Sequence, residues 1–200
     1  MVIHLGDEVD YHAISFHDSD HDGLSAGHEL DKAVMEIGDG LHRLFPHMRL
    51  LESNHGSLVT RKMKHHGVPI RVVKPLHEIY ETPGWTWHDE LLVETNFGPI
   101  YFHHGMSSAA EGLKIVREHG VSAIQGHFHG KQSIVWLETR MRKCFAAFFG
   151  CLVDRSSYAM AYSKNNIPIY QLGAGIIDKK GLPHCIIMRL NNEGRWCGRL

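Results

Sequence analysis

The chain reads as an α/β protein, and three features of its sequence predict that class. Short apolar runs recur at residues 2–5, 48–51, 99–102 and 121–125, each of a length suited to a buried strand. Helical spacing lies between them: Leu30, Ala33, Val34, Ile37, Leu41, Leu44 and Phe45 fall on one face, as do Leu113, Ile115 and Val116. Further β-like runs at residues 133–137, 144–151, 167–172 and 185–190 are punctuated by glycine, proline, asparagine and aspartate, which predicts a second sheet.

The first run stops at Gly6-Asp7, as a buried parallel strand does when it delivers a carboxylate to the C-terminal edge of a sheet. Asp10, one helical turn after Asp7, reads either as a carboxylate supporting that site or as a helix-start residue. Asp18-Ser19-Asp20-His21-Asp22-Gly23, with Glu29 beyond it, fits the EF-hand calcium-loop pattern letter for letter. Ser25 stands where that loop carries an apolar anchor, so the competing reading is an acidic surface loop leading into a helix capped by Ser25. Pro46 ends this helix.

Residues 48–51 then deliver Glu52-Ser53-Asn54-His55-Gly56, and Ser57 caps a helix over residues 58–66. Its Arg61, Lys62, Lys64, His65 and His66 read as a solvated face, with Arg61 as a candidate phosphate contact. Trp85 and Trp87 form either a substrate-facing lip or part of a loop packed by its own aromatics. Residues 91–95 and 99–102 make a hairpin across Asn96-Phe97-Gly98, and its second strand ends at His103-His104-Gly105. Ser107 or Ser108 caps the following helix and Gly120 stops it. Strand 121–125 then delivers Gly126-His127-Phe128-His129-Gly130, where alternation would turn both imidazoles to one face and the glycines let the backbone crowd a site.

At 200 residues the chain predicts a single domain. A hydrophobic content of 43%, a charged content of 22% and a net charge of -1 carry no bias toward nucleic acid or membrane, although a local patch can do what net charge does not. No apolar run reaches the length of a bilayer span and the N-terminus lacks the regions of a signal peptide, so the expected location is cytoplasmic. Cys144, Cys151, Cys185 and Cys197 show no C-x-x-C spacing and read as reduced thiols.

Four strand ends thus carry Gly6-Asp7, Ser53-Asn54-His55, His103-His104-Gly105 and Gly126-His127-Phe128-His129, in that order. This ordered set resembles the calcineurin-like metallophosphoesterase superfamily, in particular its phage-type and bacterial members, whose signature runs D-x-H, G-D-x-x-D/H, G-N-H-D/E, H and G-H-x-H. The resemblance covers residues 3 to 130 and implies a four-layer αββα sandwich of two mixed sheets. It implies that Asp7 bridges two divalent metals, that Asn54, His104 and His127 complete one metal site, and that His129 ligates the other. Mixed nitrogen and oxygen ligands suit Mn²⁺, with Fe or Zn²⁺ as alternatives. Two such ions about 3.5–4 Å apart would hold a hydroxide for in-line attack on a phosphate ester, and His55 would assist the leaving oxygen. Asp10 supports the site from outside, and His103 and Arg61 are candidate substrate contacts.

Three departures from the pattern bear on activity. Ser53 replaces the usual glycine and Gly56 the usual acid of the third motif, which would loosen His55. Only five residues stand before Gly6, so the D-x-H motif is absent. The expectation is a domain over residues 1–200 shortened at its N-terminus, or one half of a split protein, its first strand and helix missing, with one metal site nearly complete and the other crippled, and with reduced stability or self-association. The leading reading is a phosphodiesterase or phosphomonoesterase. The alternatives are a catalytically impaired binding module and a nuclease of the same fold, whose phosphate track would be Arg61, Lys62 and Lys64.

Overall fold

A computed structural model describes residues 1–16, 23–105, 112–153, 170–193 and 196–198. The chain is mixed α/β and divides into two compact units, the first holding Met1–Asp89 and the second beginning at Glu90.

In the first unit, strands β1 (Ile3–His4), β2 (Met48–Leu51) and β3 (Trp85–His88) form a parallel sheet in the order β1-β2-β3. Helix α1 (Ala26–Glu36) enters from Ser25, whose Oγ accepts from the His28 N–H at 3.3 Å, so the predicted cap is present. The expected run to Phe45 is not uniformly α-helical. Residues Ile37–His42 form a wider π-helical turn that includes the poor helix formers Gly38 and Gly40. That turn shifts the phase of the apolar stripe. Ala33 and Ile37 are buried and Leu30, Val34 and Leu41 pack beside them, whereas Leu44 and Phe45 are exposed.

Helix α2 (Leu58–His65) follows β2, and a four-residue helix, α3 (Leu76–Ile79), precedes β3. Leu50 and Tyr80 are fully buried in the core, where the Tyr80 and Tyr11 hydroxyls meet at 2.9 Å. Trp85 and Trp87 form neither a lip nor a loop. They belong to β3, paired with Met48 and Leu50, and Trp85 is buried with its Nε1–H donating to the Phe45 carbonyl at 2.7 Å.

In the second unit, strands β4 (Glu90–Val93), β5 (Ile100–His103), β6 (Ser122–Gln125), β7 (Gln132–Glu138) and β8 (Lys143–Phe149) form one mixed sheet in the order β4-β5-β6-β8-β7. The β4–β5 hairpin is as predicted, and β5, β6 and β8 run parallel. The runs expected to begin a second sheet therefore extend this one. Small residues allow it: Ala123 of β6 stands opposite Ala146 of β8, under Ile115 and Val116 of helix α4 (Gly112–His119). Gly120, at φ 66°, closes α4 as predicted.

The separate two-stranded sheet is an antiparallel pair, β9 (Gly173–Ile177) and β10 (Pro183–Ile187). Its first strand was not legible in Gly173-Ala174-Gly175, because glycine lowers strand propensity. The described residues thus hold three sheets, one of them wholly parallel, within a mixed α/β architecture. The predicted caps Ser107 and Ser108, Asp18 to Asp22 of the calcium pattern and residues 167–169 lie outside the described residues.

Candidate functional site

The first group of candidate residues stands where β1 and β2 end. Directly after β1, the chain turns through Gly6 and Asp7, and Asp7 takes a left-handed backbone at φ 59°. Such a conformation costs a non-glycine residue on the order of 1 kcal/mol, and aspartate is among the residues that adopt it more readily.

After β2, the turn Ser53-Asn54-His55-Gly56 is built by Ser53, which is buried and whose Oγ accepts from the Gly56 N–H at 2.9 Å. Ser57, the expected side-chain cap of α2, instead donates its hydroxyl to the Ser53 carbonyl at 2.6 Å. The serine in the third motif thus gives the turn a hydrogen bond that glycine cannot. Gly56 has a steric reason too: a Cβ there would stand 3.0 Å from Ser53 Oγ and 3.1 Å from Glu8 Oε1.

His55 is held firmly despite lacking the acid expected at position 56. Its Nδ1 lies 2.8 Å from Asp10 Oδ1 and 2.9 Å from the Asp10 carbonyl oxygen. With both neighbours being acceptors, Nδ1 carries a proton and Nε2 is left for chemistry. Burial alone lowers the His55 pKa. The hydrogen bond to Asp10 and the charge of Asp7 outweigh that, and lift it to about 9. Asp10 is therefore a partner of His55, not a helix-start residue.

Arg61 reaches back along α2, its Nη2–H donating to the Asn54 carbonyl at 2.5 Å and its Nε–H to Ser57 Oγ at 3.2 Å. It braces the turn that carries Asn54 and His55. The calcium pattern fares differently. Both carboxylate oxygens of Glu29, its expected bidentate ligand, accept from backbone N–H groups, of His12 at 2.9 Å and Ala13 at 3.3 Å.

The second group stands where β5 and β6 end. Parallel pairing aligns His103 with Gln125, and the Gly126 N–H donates to the His103 carbonyl at 3.1 Å, which fixes the loop after β6 beside the end of β5. His127 sits at the centre of a three-residue turn, closed by a 2.7 Å bond from the Phe128 N–H to the Gly126 carbonyl, at φ 67°. A γ-turn with positive φ is rare and strained, more so for a residue with a Cβ. It aims the imidazole at His104. The two rings are 5.2 Å apart between centroids, at 74°, with ligand nitrogens within 4.8 Å.

Gly105, after the buried His104, has φ 93°, and a Cβ there would stand 2.5 Å from the Gln125 amide nitrogen. His103 turns elsewhere: it is buried and stacks on Tyr101 at 5.4 Å, which in turn stacks on His119 at 4.8 Å. His129 is not part of the His104–His127 pair. Its carbonyl accepts from the Gln171 N–H at 2.9 Å, and its ring lies 6.1 Å from that of Tyr170.

Sequence reasoning missed Phe128, whose ring meets that of His127 edge-on at 5.2 Å and carries Lys131 Nζ at 4.8 Å. Its place within the H-x-H was the available signal. Sequence reasoning also missed Glu8, which accepts from Trp87 Nε1–H at 2.9 Å. Comparison with protein-family models, curated proteins and solved structures finds no match to this chain.

Proposed function

We propose that the chain is a cytoplasmic, metal-dependent phosphoric ester hydrolase with the four-layer fold of the metallophosphoesterases. Asp7, Asn54, His104 and His127 are the ligands of one divalent ion, Mn²⁺ or alternatively Fe or Zn²⁺, and His129 belongs to a second. One observation supports this reading above the others: two imidazoles from neighbouring parallel strands converge within ligand distance, and one is held there by a strained turn. Imidazole nitrogens together with a carboxylate oxygen are a donor set for such an ion.

When bound, the ion neutralises phosphoryl oxygens and lowers the pKa of water. The remaining work falls to the chain. Asp10 accepts the Nδ1–H of His55 and favours the doubly protonated ring, so Nε2–H can protonate the departing ester oxygen. Arg61 fixes the Asn54-His55 peptide through the Asn54 carbonyl, so both side chains leave from a rigid turn.

Hydrolysis of bis(p-nitrophenyl) phosphate with added Mn²⁺ and with EDTA tests the reading. Turnover that EDTA abolishes, and that His55→Gln lowers by about a hundredfold or more, is expected. Turnover indifferent to EDTA would refute it, and no turnover in Mn²⁺ would identify the chain as the impaired binding module.

A further inference from the structure

Phe16 is an aromatic side chain that the core does not use. It is 72% exposed, and two cations of α2 converge on its ring, with Lys62 Nζ 4.7 Å and Arg61 Cζ 5.6 Å from the centroid. Neither cation has an ion-pair partner among the described residues. Lys62 Nζ reaches the Ser15 carbonyl at 3.5 Å, and Arg61 is tied to the Asn54 carbonyl and Ser57. Two described carboxylates that flank Phe16 in the chain are engaged elsewhere, Asp10 with His55 and Glu29 with the backbone of His12 and Ala13.

An exposed ring beside two positive charges has two complementary partners in a nucleotide: the flat base, which stacks on the ring, and the phosphate, which the cations attract. The patch also lies next to the chemistry. The Arg61 guanidinium lies over the ring and also donates to the carbonyl of the residue before His55, so one side chain links the ring to the His55 turn.

We propose that Phe16, Arg61 and Lys62 form a stacking subsite for single-stranded nucleic acid, which makes the ester cleaved an internucleotide phosphodiester. This inference rests on the hydrolase reading for the cleavage, but not for the binding. Trp85 and Trp87, the aromatic residues read from the sequence as a candidate substrate-facing lip, lie within a sheet.

The test is fluorescence anisotropy with the full chain in EDTA, using a labelled oligothymidylate and an abasic deoxyribose-phosphate strand of equal length. Expected is tighter binding of the oligothymidylate, weakened about five- to a hundredfold by Phe16→Ala and retained in Phe16→Trp. Lys62→Gln should weaken both strands and flatten the salt dependence. Equal binding of both strands, an unchanged affinity in Phe16→Ala, or thymidine monophosphate competing as well as the oligomer would overturn the proposal. Hydrolysis of bis(p-nitrophenyl) phosphate, which carries no base, is measured on the same preparations. Turnover without strand binding removes the subsite alone, and strand binding without turnover removes the hydrolase reading alone.

Discussion

Replacing Asp10 by Asn keeps the shape of the residue against His55 and removes its charge. In metal-free protein the folded state raises the His55 pKa from 6.5 to about 9. A group whose pKa rises on folding stabilises the fold fully below its unfolded pKa, and that contribution is lost as pH rises through the folded value. The window is therefore pH 6.5 to about 9. At 1.36 kcal/mol per pKa unit the whole shift corresponds to about 3 kcal/mol. Both side chains are 22% exposed and the Asp7 charge remains in Asp10→Asn, so the variant should lose about 1–2 kcal/mol of this. Urea denaturation in EDTA measures it. Asp10→Asn should be less stable than the wild type by that amount at about pH 6, and the difference should shrink toward zero by about pH 10. A penalty of equal size at both pH values would refute the argument, since it would mean that Asp10 acts through packing and not through the charge on His55.

Two further substitutions test the framework that holds the strand ends. Leu50→Ala removes a fully buried side chain from the first core and should cost about 2–5 kcal/mol in urea denaturation, with no effect on the slope if unfolding stays two-state. Gly105→Ala adds a Cβ at φ 93° against the Gln125 amide and should cost more than about 1 kcal/mol. Because Gly105 follows His104, metal affinity should fall in the same variant, measured by titration with Mn²⁺.

The elements most legible in the sequence were those in which one physical signal dominated. The run at residues 48–51 is apolar and bounded by polar residues, and it is a strand from Met48 to Leu51. Asn96-Phe97-Gly98 between two apolar runs gave the β4–β5 hairpin, and Ser25 gave its helix cap. What was not legible depended on distant partners. No local pattern says that Ala146 will face Ala123 and draw β8 into the sheet of β6. None says that Trp85 and Trp87 will find Met48 and Leu50 across a sheet, and on aromatic content alone they read as a surface feature. The helix after Ser25 lost its phase where Gly38 and Gly40 admitted a wider turn, a departure that a strict 3.6-residue period cannot anticipate.

The candidate site divides the same way. Histidines beside glycines at strand ends drew attention to His104 and His127, and those rings meet. The strain that orients His127 and the tie from Asp10 to His55 arise from backbone conformation and from residues 45 apart. Spacing could mark Asp10 as a candidate but could not assign its partner.

The most direct measurement of the central claim is the metal content of protein purified without chelator, for the wild type and His127→Ala. At least one Mn²⁺, Fe or Zn²⁺ ion per wild-type chain, and loss of that ion in His127→Ala with an unchanged circular dichroism spectrum, is the result predicted. A wild-type chain that retains no such ion, or a variant that retains as much metal as the wild type, would contradict it.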